Sequence, residues 1–158
     1  MSDDFTVSDI VELGIQIEKN GIEFYTALAE KFKEPKVESM FAYLAREEAN
    51  HVVTFNNILE SIVNFESKEV FTDEYYAYMR SLASEYVFTQ SGKGKELADT
   101  VTNQADAVDL AAKFELESIE FYEGIKKGIP DKQHSAIDAL IAQEHKHHQK
   151  LVSLREAL

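Results

Sequence analysis

Apolar residues return every three or four positions through four long stretches of the chain, a spacing that predicts amphipathic helices throughout. The first helix is expected over residues 8–33, with Thr6 or Ser8 as its N-cap. A second opens at Pro35, a residue suited to the first turn, and carries Phe41, Leu44, Phe55 and Ile58 on one face as far as residue 63. The third begins near Asn103 or Asp106, covers residues 104–127 and stops before Gly128-Ile129-Pro130; the fourth covers residues 131–157. The predicted fold is all-α.

The loops between the first and second and between the third and fourth helices are short, so each pair is antiparallel. Residues 64–103 form a much longer connection, able to travel the length of a bundle whose helices, at about 1.5 Å per residue, are roughly 39 Å long. Within it, Asp73 to Phe88 reads as a short extra helix rich in aromatics: Tyr75, Tyr76, Tyr78, Tyr86 and Phe88. Such a helix either caps an end or side of the bundle or supplies a dimer contact, since aromatic residues favour interface cores. Ser91-Gly92-Lys93-Gly94 reads as a flexible loop, and it is too short and wrongly placed for a phosphate-binding motif.

At 158 residues the chain has the length of one domain, residues 1–158, with 44% hydrophobic content, enough to bury a core. Its start is acidic and lacks the basic-then-apolar order of a signal peptide, and no apolar run approaches the roughly 20 residues of a membrane span. We expect a soluble cytoplasmic protein, likewise without membrane partners. A net charge of −13 leaves no basic stripe for nucleic acid. The absence of cysteine excludes disulfides, iron–sulfur clusters, thiolate zinc sites and a cysteine nucleophile, so any redox chemistry runs on oxygen and nitrogen ligands.

The chemistry is carried by an internal duplication. Glu18-Lys-Asn-Gly-Ile-Glu-Phe-Tyr25 returns as Glu115-Leu-Glu-Ser-Ile-Glu-Phe-Tyr122, and each copy is followed at nearly the same distance by a Glu-x-x-His, Glu48 to His51 and Glu144 to His147. Residues three apart on a helix lie on one face, so each Glu-x-x-His pair projects together. Leu44, Phe55 and Ile58 share the face of the first pair, and Leu140, Leu151 and Leu154 that of the second. Four carboxylates and two imidazoles thus aim into an apolar interior, where unpaired ions cost several kcal/mol each. Two divalent cations cancel the four carboxylate charges. The oxygen-rich set with two imidazoles suits iron or manganese, and zinc also binds such ligands.

Tyr25 and Tyr122 fall two turns beyond the lone glutamates on the same face, suited to hold a ligand carboxylate by their hydroxyls. Small residues recur there too: Gly14 matches Ala111 and Gly21 matches Ser118. A helix-interior glycine costs about 1 kcal/mol against alanine, so Gly21 implies either a close helix approach or room beside the metals. His134, His145 and His148 read as solvated surface, with His148 as the one substitute for His147.

The order Glu, Glu-x-x-His, Glu, Glu-x-x-His over four helices resembles that of the ferritin-like di-iron carboxylate proteins. The Glu-x-x-x-x-x-Phe-Tyr phrasing is similar to that of the rubrerythrins and their single-domain relatives. The resemblance implies a ferritin-like four-helix bundle with one long crossover between its second and third helices. It implies two iron ions held by Glu18, Glu48, His51, Glu115, Glu144 and His147, with Glu48 and Glu144 bridging. It also implies reduction of hydrogen peroxide or O2 with electrons from an external donor such as a rubredoxin, or alternatively ferroxidation for iron storage or delivery. A homodimer is expected. The chain departs from the rubrerythrins in lacking a cysteine-bearing rubredoxin module and in placing Ser118 where they carry a further Glu, flanked by Glu117 and Glu120, which point off that face.

Overall fold

The computed structural model describes residues 6–63, 73–85 and 89–158. Among these are six α-helices and no strand: α1 (Val7–Lys31), α2 (Pro35–Val63), α3 (Asp73–Glu85), α4 (Lys93–Thr100), α5 (Gln104–Gly128) and α6 (His134–Glu156), with a 3-10 turn at Asp131–Gln133.

Local chemistry sets the helix ends. Thr6 caps α1 by a reciprocal pair, its Oγ1 accepting from the Asp9 amide at 3.2 Å while the Asp9 carboxylate accepts from the Thr6 amide at 2.7 Å. Pro35 is the first residue of α2, and the Glu34 carboxylate accepts from the Val37 amide at 3.0 Å. Asn103 caps α5 by accepting from the Asp106 amide at 2.9 Å. The fourth long helix starts later than residue 131, because the chain leaving Pro130 first makes the tighter 3-10 turn.

α1 packs along α2 and α5 along α6; the two hairpins then close into a bundle through α1 against α5 and α2 against α6. The interior is filled by Phe24, Tyr25, Phe41, Phe55, Phe121 and Tyr122, all fully buried. Five of these six belong to the duplicated Phe-Tyr pairs or follow the Glu-x-x-His, so the repeat supplies core and site together. No helix among the described residues is long and apolar enough to cross a membrane.

The described residues of the crossover hold two helices, α3 and α4. α3 packs on α5, burying Met79 and Leu82, and the Tyr75 hydroxyl donates to the Gly124 carbonyl at 2.8 Å. A side chain at Gly124 would meet Met79 Sδ at 2.8 Å, so the glycine permits this approach. α3 thus covers the side of α5, and Tyr78 stays exposed beneath the Lys127 ammonium. Tyr86, Phe88 and the side chain of Tyr76 lie outside the described residues.

The expectation of a flexible loop at Ser91–Gly94 is corrected. Gly92 takes a left-handed conformation, φ +79°, that turns the chain into α4, and Lys93 and Gly94 are already helical. Gly94 lies so close to α1 that a Cβ would strike the Asn20 carbonyl. The Asn20 side chain donates to the Gln90 carbonyl at 2.6 Å and accepts from the Gly94 amide at 3.3 Å. At the other end of α4 the Lys31 ammonium reaches the Ala98 and Val101 carbonyls, so the crossover is fastened along the first hairpin.

Candidate metal centre

Each of the four long helices sends its predicted polar residues to one point. α1 brings Glu18, α2 brings Glu48 and His51, α5 brings Glu115, and α6 brings Glu144 and His147; all six are buried, none above 2% exposure. Their atoms fall into two overlapping sets in which all atoms lie within 4.8 Å of one another. One set is Glu18, Glu48, His51 and Glu144, the other Glu48, Glu115, Glu144 and His147. Glu48 and Glu144 are common to both. His148 and His145 stay outside the cluster, and Glu117 turns to Lys113 at 3.8 Å. His134 sits at the start of α6 with its Nε2 3.1 Å from the Ile129 carbonyl.

The tyrosines act across the duplication. The Tyr25 hydroxyl on α1 donates to Glu115 Oε1 on α5 at 2.6 Å, and the Tyr122 hydroxyl on α5 donates to Glu18 Oε1 on α1. Each hairpin therefore orients the lone glutamate of the other, and in both cases Oε2 remains for the interior.

The inward atoms face one another. Glu18 Oε2, Glu115 Oε2, both oxygens of Glu48 and Glu144, and Nδ1 of His51 and His147 are buried without a hydrogen bond. The closest approach is His51 Nδ1 to Glu144 Oε1, 2.8 Å. His147 Nδ1 stands 3.7 Å from Glu115 Oε2 and from Glu144 Oε1. Buried polar groups are almost always satisfied, so a ring of orphans facing a common centre marks a place for bound cations.

Protonation follows from crowding. Burial, then the charge and proximity of neighbouring carboxylates, pushes Glu48 and Glu144 well above the ordinary carboxylate range. Burial also lifts Glu18, to about 7, against the adjacent Glu48 carboxyl and the Tyr122 hydroxyl, which favour its anion. Glu115 goes the other way: burial opposes its charge, but Glu144, His147 and the Tyr25 hydroxyl outweigh it and hold the carboxyl below its usual value. For His51, burial works against the charged ring, yet Glu144, Glu48 and Gln143 raise it to about 9. Two divalent cations would supply the charge that lets all four carboxylates ionise in this interior.

Two participants escape sequence reading. Gln143 Oε1 lies 2.6 Å from His51 Nε2, so an Nε2–H donated to it leaves the Nδ1 lone pair facing inward. Tyr43 meets the His147 ring edge to face, centroids 5.9 Å apart and planes at 84°, with the Lys150 ammonium 4.5 Å above the Tyr43 ring. Gln143 adjoins Glu144 in sequence, which is a weak signal; Tyr43 gives none, because its contact crosses from α2 to α6.

A crystal structure from Thermotoga maritima, described as that of a ferritin-like diiron-carboxylate protein, matches this fold with a TM-score of 0.66 over 96% of this chain and 95% of that one, at 24% identity. No curated protein matches the sequence. The family model for rubrerythrin matches residues 9–155, nearly the whole chain and every residue of the cluster. The chain belongs to the rubrerythrin family.

Proposed function

We propose that the protein binds two iron ions between its four long helices and uses them to reduce hydrogen peroxide or O2 with electrons from a separate donor such as a rubredoxin. The observation that carries this reading is the set of eight buried, unpartnered nitrogen and oxygen atoms converging from four helices. Uncompensated, such a set costs several kcal/mol per ion.

Glu18 Oε2 and His51 Nδ1 would hold one ion, Glu115 Oε2 and His147 Nδ1 the other, with Glu48 and Glu144 between them. Bound iron supplies electrons and Lewis acidity. The chain does the rest. Tyr25 and Tyr122 engage the outer oxygens of Glu115 and Glu18, which fixes each carboxylate so that one oxygen serves the interior. Gln143 sets the tautomer of His51. Glu48 and Glu144 surrender protons when cations enter and take them back when cations leave. The surrounding core, with Phe41, Leu44, Phe55 and Leu151 fully buried, keeps bulk water away.

The test is anaerobic loading with ferrous iron followed by hydrogen peroxide in a stopped-flow spectrometer. The expected result is saturation at two irons per chain, rapid oxidation, and sustained turnover when reduced rubredoxin is supplied. Oxidation in one turnover followed by release or mineralisation of iron would instead identify a ferroxidase for storage or delivery.

A further inference from the structure

Between the N-terminal part of α2 and the C-terminal part of α6 lies a groove of about 670 Å³. Its rim carries Lys36, Lys146 and Lys150, all exposed and none in an ion pair among the described residues. Its floor is apolar, with Met40, Tyr43 and Leu154, and no acidic residue lines it. That is conspicuous in a chain with 29 acidic residues and a net charge of −13. Three cations held free of carboxylates, in a field that would otherwise repel anions, form a local inversion of charge.

The groove has a direct physical route to the cluster. Lys150 sits over the Tyr43 ring, Tyr43 contacts the His147 ring, and His147 Nδ1 faces the cluster. Only two aromatic rings separate the groove floor from the carboxylates. The other histidine offers nothing similar, since His51 Nε2 is taken up by Gln143.

We propose that this groove is the docking face for the electron donor, a small electron-carrier protein that presents carboxylates around its redox group. The inference rests on the redox reading above. A cationic rim around an apolar floor matches the anatomy of a protein interface, where opposite charge steers encounter and a desolvated centre holds the pair. The groove is also larger than a single small anion needs. Each docking event moves one electron: the carrier is oxidised, the metal centre is reduced, and two encounters return a pair of ferric ions to ferrous. Electrons enter at the His147 end.

The experiment uses rubredoxin as the probe. The bimolecular rate at which reduced rubredoxin reduces the oxidised, iron-loaded protein should fall at least tenfold as salt rises from low to several hundred millimolar, as steered association does. The triple variant Lys36→Glu, Lys146→Glu, Lys150→Glu should slow that rate at least tenfold at low salt and lose its salt dependence, while iron stoichiometry and melting temperature stay as in the parent. A charge-matched control, Lys95→Glu, Lys113→Glu, Lys132→Glu, should slow it far less. In parallel, oxidised rubredoxin titrated into the zinc-loaded protein should shift backbone resonances of α2 and α6 around the groove, a readout independent of turnover. Equal slowing in both triple variants, or resonance shifts on another face, overturns the proposal. So does a second copy of the chain covering the groove in sedimentation experiments, or citrate that fills the groove without displacing rubredoxin. Failure to bind iron or react with peroxide would sink the redox reading alone, and the zinc-loaded titration would still decide where rubredoxin docks.

Discussion

The two hairpins, α1–α2 and α5–α6, carry the same buried Glu and His residues at matching positions, yet they are finished differently outside the cluster. At the centre symmetry is close to complete: each half offers a lone Glu, a Glu common to both sets and a His, and each supplies a tyrosine to the other. Away from it the halves diverge. Asn20 on α1 is buried under α4 and fastens the crossover, while its counterpart on α5, Glu117, is half-buried and pairs with Lys113. His51 is held by Gln143, but the residue equivalent to Gln143 is Glu47, whose carboxyl is engaged by Tyr43 and Asn50 instead of by His147. Duplication preserved the buried cluster and released what only the surroundings use.

The largest expected effect tests the symmetric centre. If Glu48 and Glu144 are common to both cation positions, then Glu48→Ala or Glu144→Ala should lower bound metal from two ions per chain toward none. Glu18→Ala or Glu115→Ala should remove only one. Metal analysis of each purified variant after loading and gel filtration reads this directly. Loss of one ion from every variant alike would mean that no carboxylate is shared.

The pH dependence of the metal-free protein is the next lever. Glu18 titrates at about 7 in the folded chain, and Glu48 and Glu144 higher than their ordinary range. Their raised values make the fold most stable below the unfolded carboxylate range, with that stability lost as pH rises through the folded values. His51, raised to about 9, acts in the same direction: its contribution is complete below 6.5 and fades as pH climbs through 9. Glu115, lowered, opposes them only on the acid side, where it loses its contribution as pH falls. The metal-free protein should therefore melt at progressively lower temperature from about pH 5 to pH 9, whereas loaded protein gains, because protons and cations compete for the same atoms. Calorimetry with and without chelator measures the gap, which should widen with pH. A gap constant across that range would show that Glu48 and Glu144 do not hold protons in the empty cluster.

The cross-hairpin tyrosines come third. Tyr25→Phe and Tyr122→Phe each remove one hydroxyl from a glutamate of the opposite half, and loss of such a supporting bond typically costs about 10–100-fold in metal affinity. Because the two contacts mirror each other, the two losses should agree within a few-fold in competition titrations. Gln143→Leu breaks the mirror: it should weaken one of the two ions by about tenfold and leave the other, at His147, untouched.

Much of this was legible in the sequence, for a physical reason. A repeat read twice gives its own control, and six polar residues on apolar helix faces admit few inert explanations; the buried Glu and His cluster and the four long helices follow from that. What the sequence concealed depends on contacts between distant segments. Tyr43 touches His147 only once α2 and α6 are packed, and Gln143 is exposed on its helix yet reaches a buried ring. Ser91 to Gly94 reads as loop because glycine is a poor helix former, while in the fold Gly94 is required by the approach of Asn20. The crossed direction of the tyrosine bonds was hidden as well, since spacing alone places Tyr25 with Glu18 as readily as with Glu115.

The smallest expected effect comes from the pair Gly21 and Ser118, equivalent positions beside the cluster. A Cβ at Gly21 would stand 3.1 Å from Glu48 Oε2 and 3.2 Å from the Phe114 ring, so Gly21→Ala presses on a carboxylate shared by both sets. Alanine's helix propensity, about 1 kcal/mol better than glycine's, offsets that crowding in the metal-free fold. The variant should melt close to the parent when empty and bind metal several-fold more weakly. At Ser118 the hydroxyl is spent on its own helix, donating to the Phe114 carbonyl at 3.0 Å, and it contributes nothing to the cluster. Ser118→Ala should therefore stay within about 0.5 kcal/mol of the parent in stability and leave metal affinity unchanged. Paired melting curves and metal titrations check both. A loss of affinity at Ser118 as large as that at Gly21 would mean that the second half, too, crowds its shared carboxylate, and that the halves differ less than their sequences do.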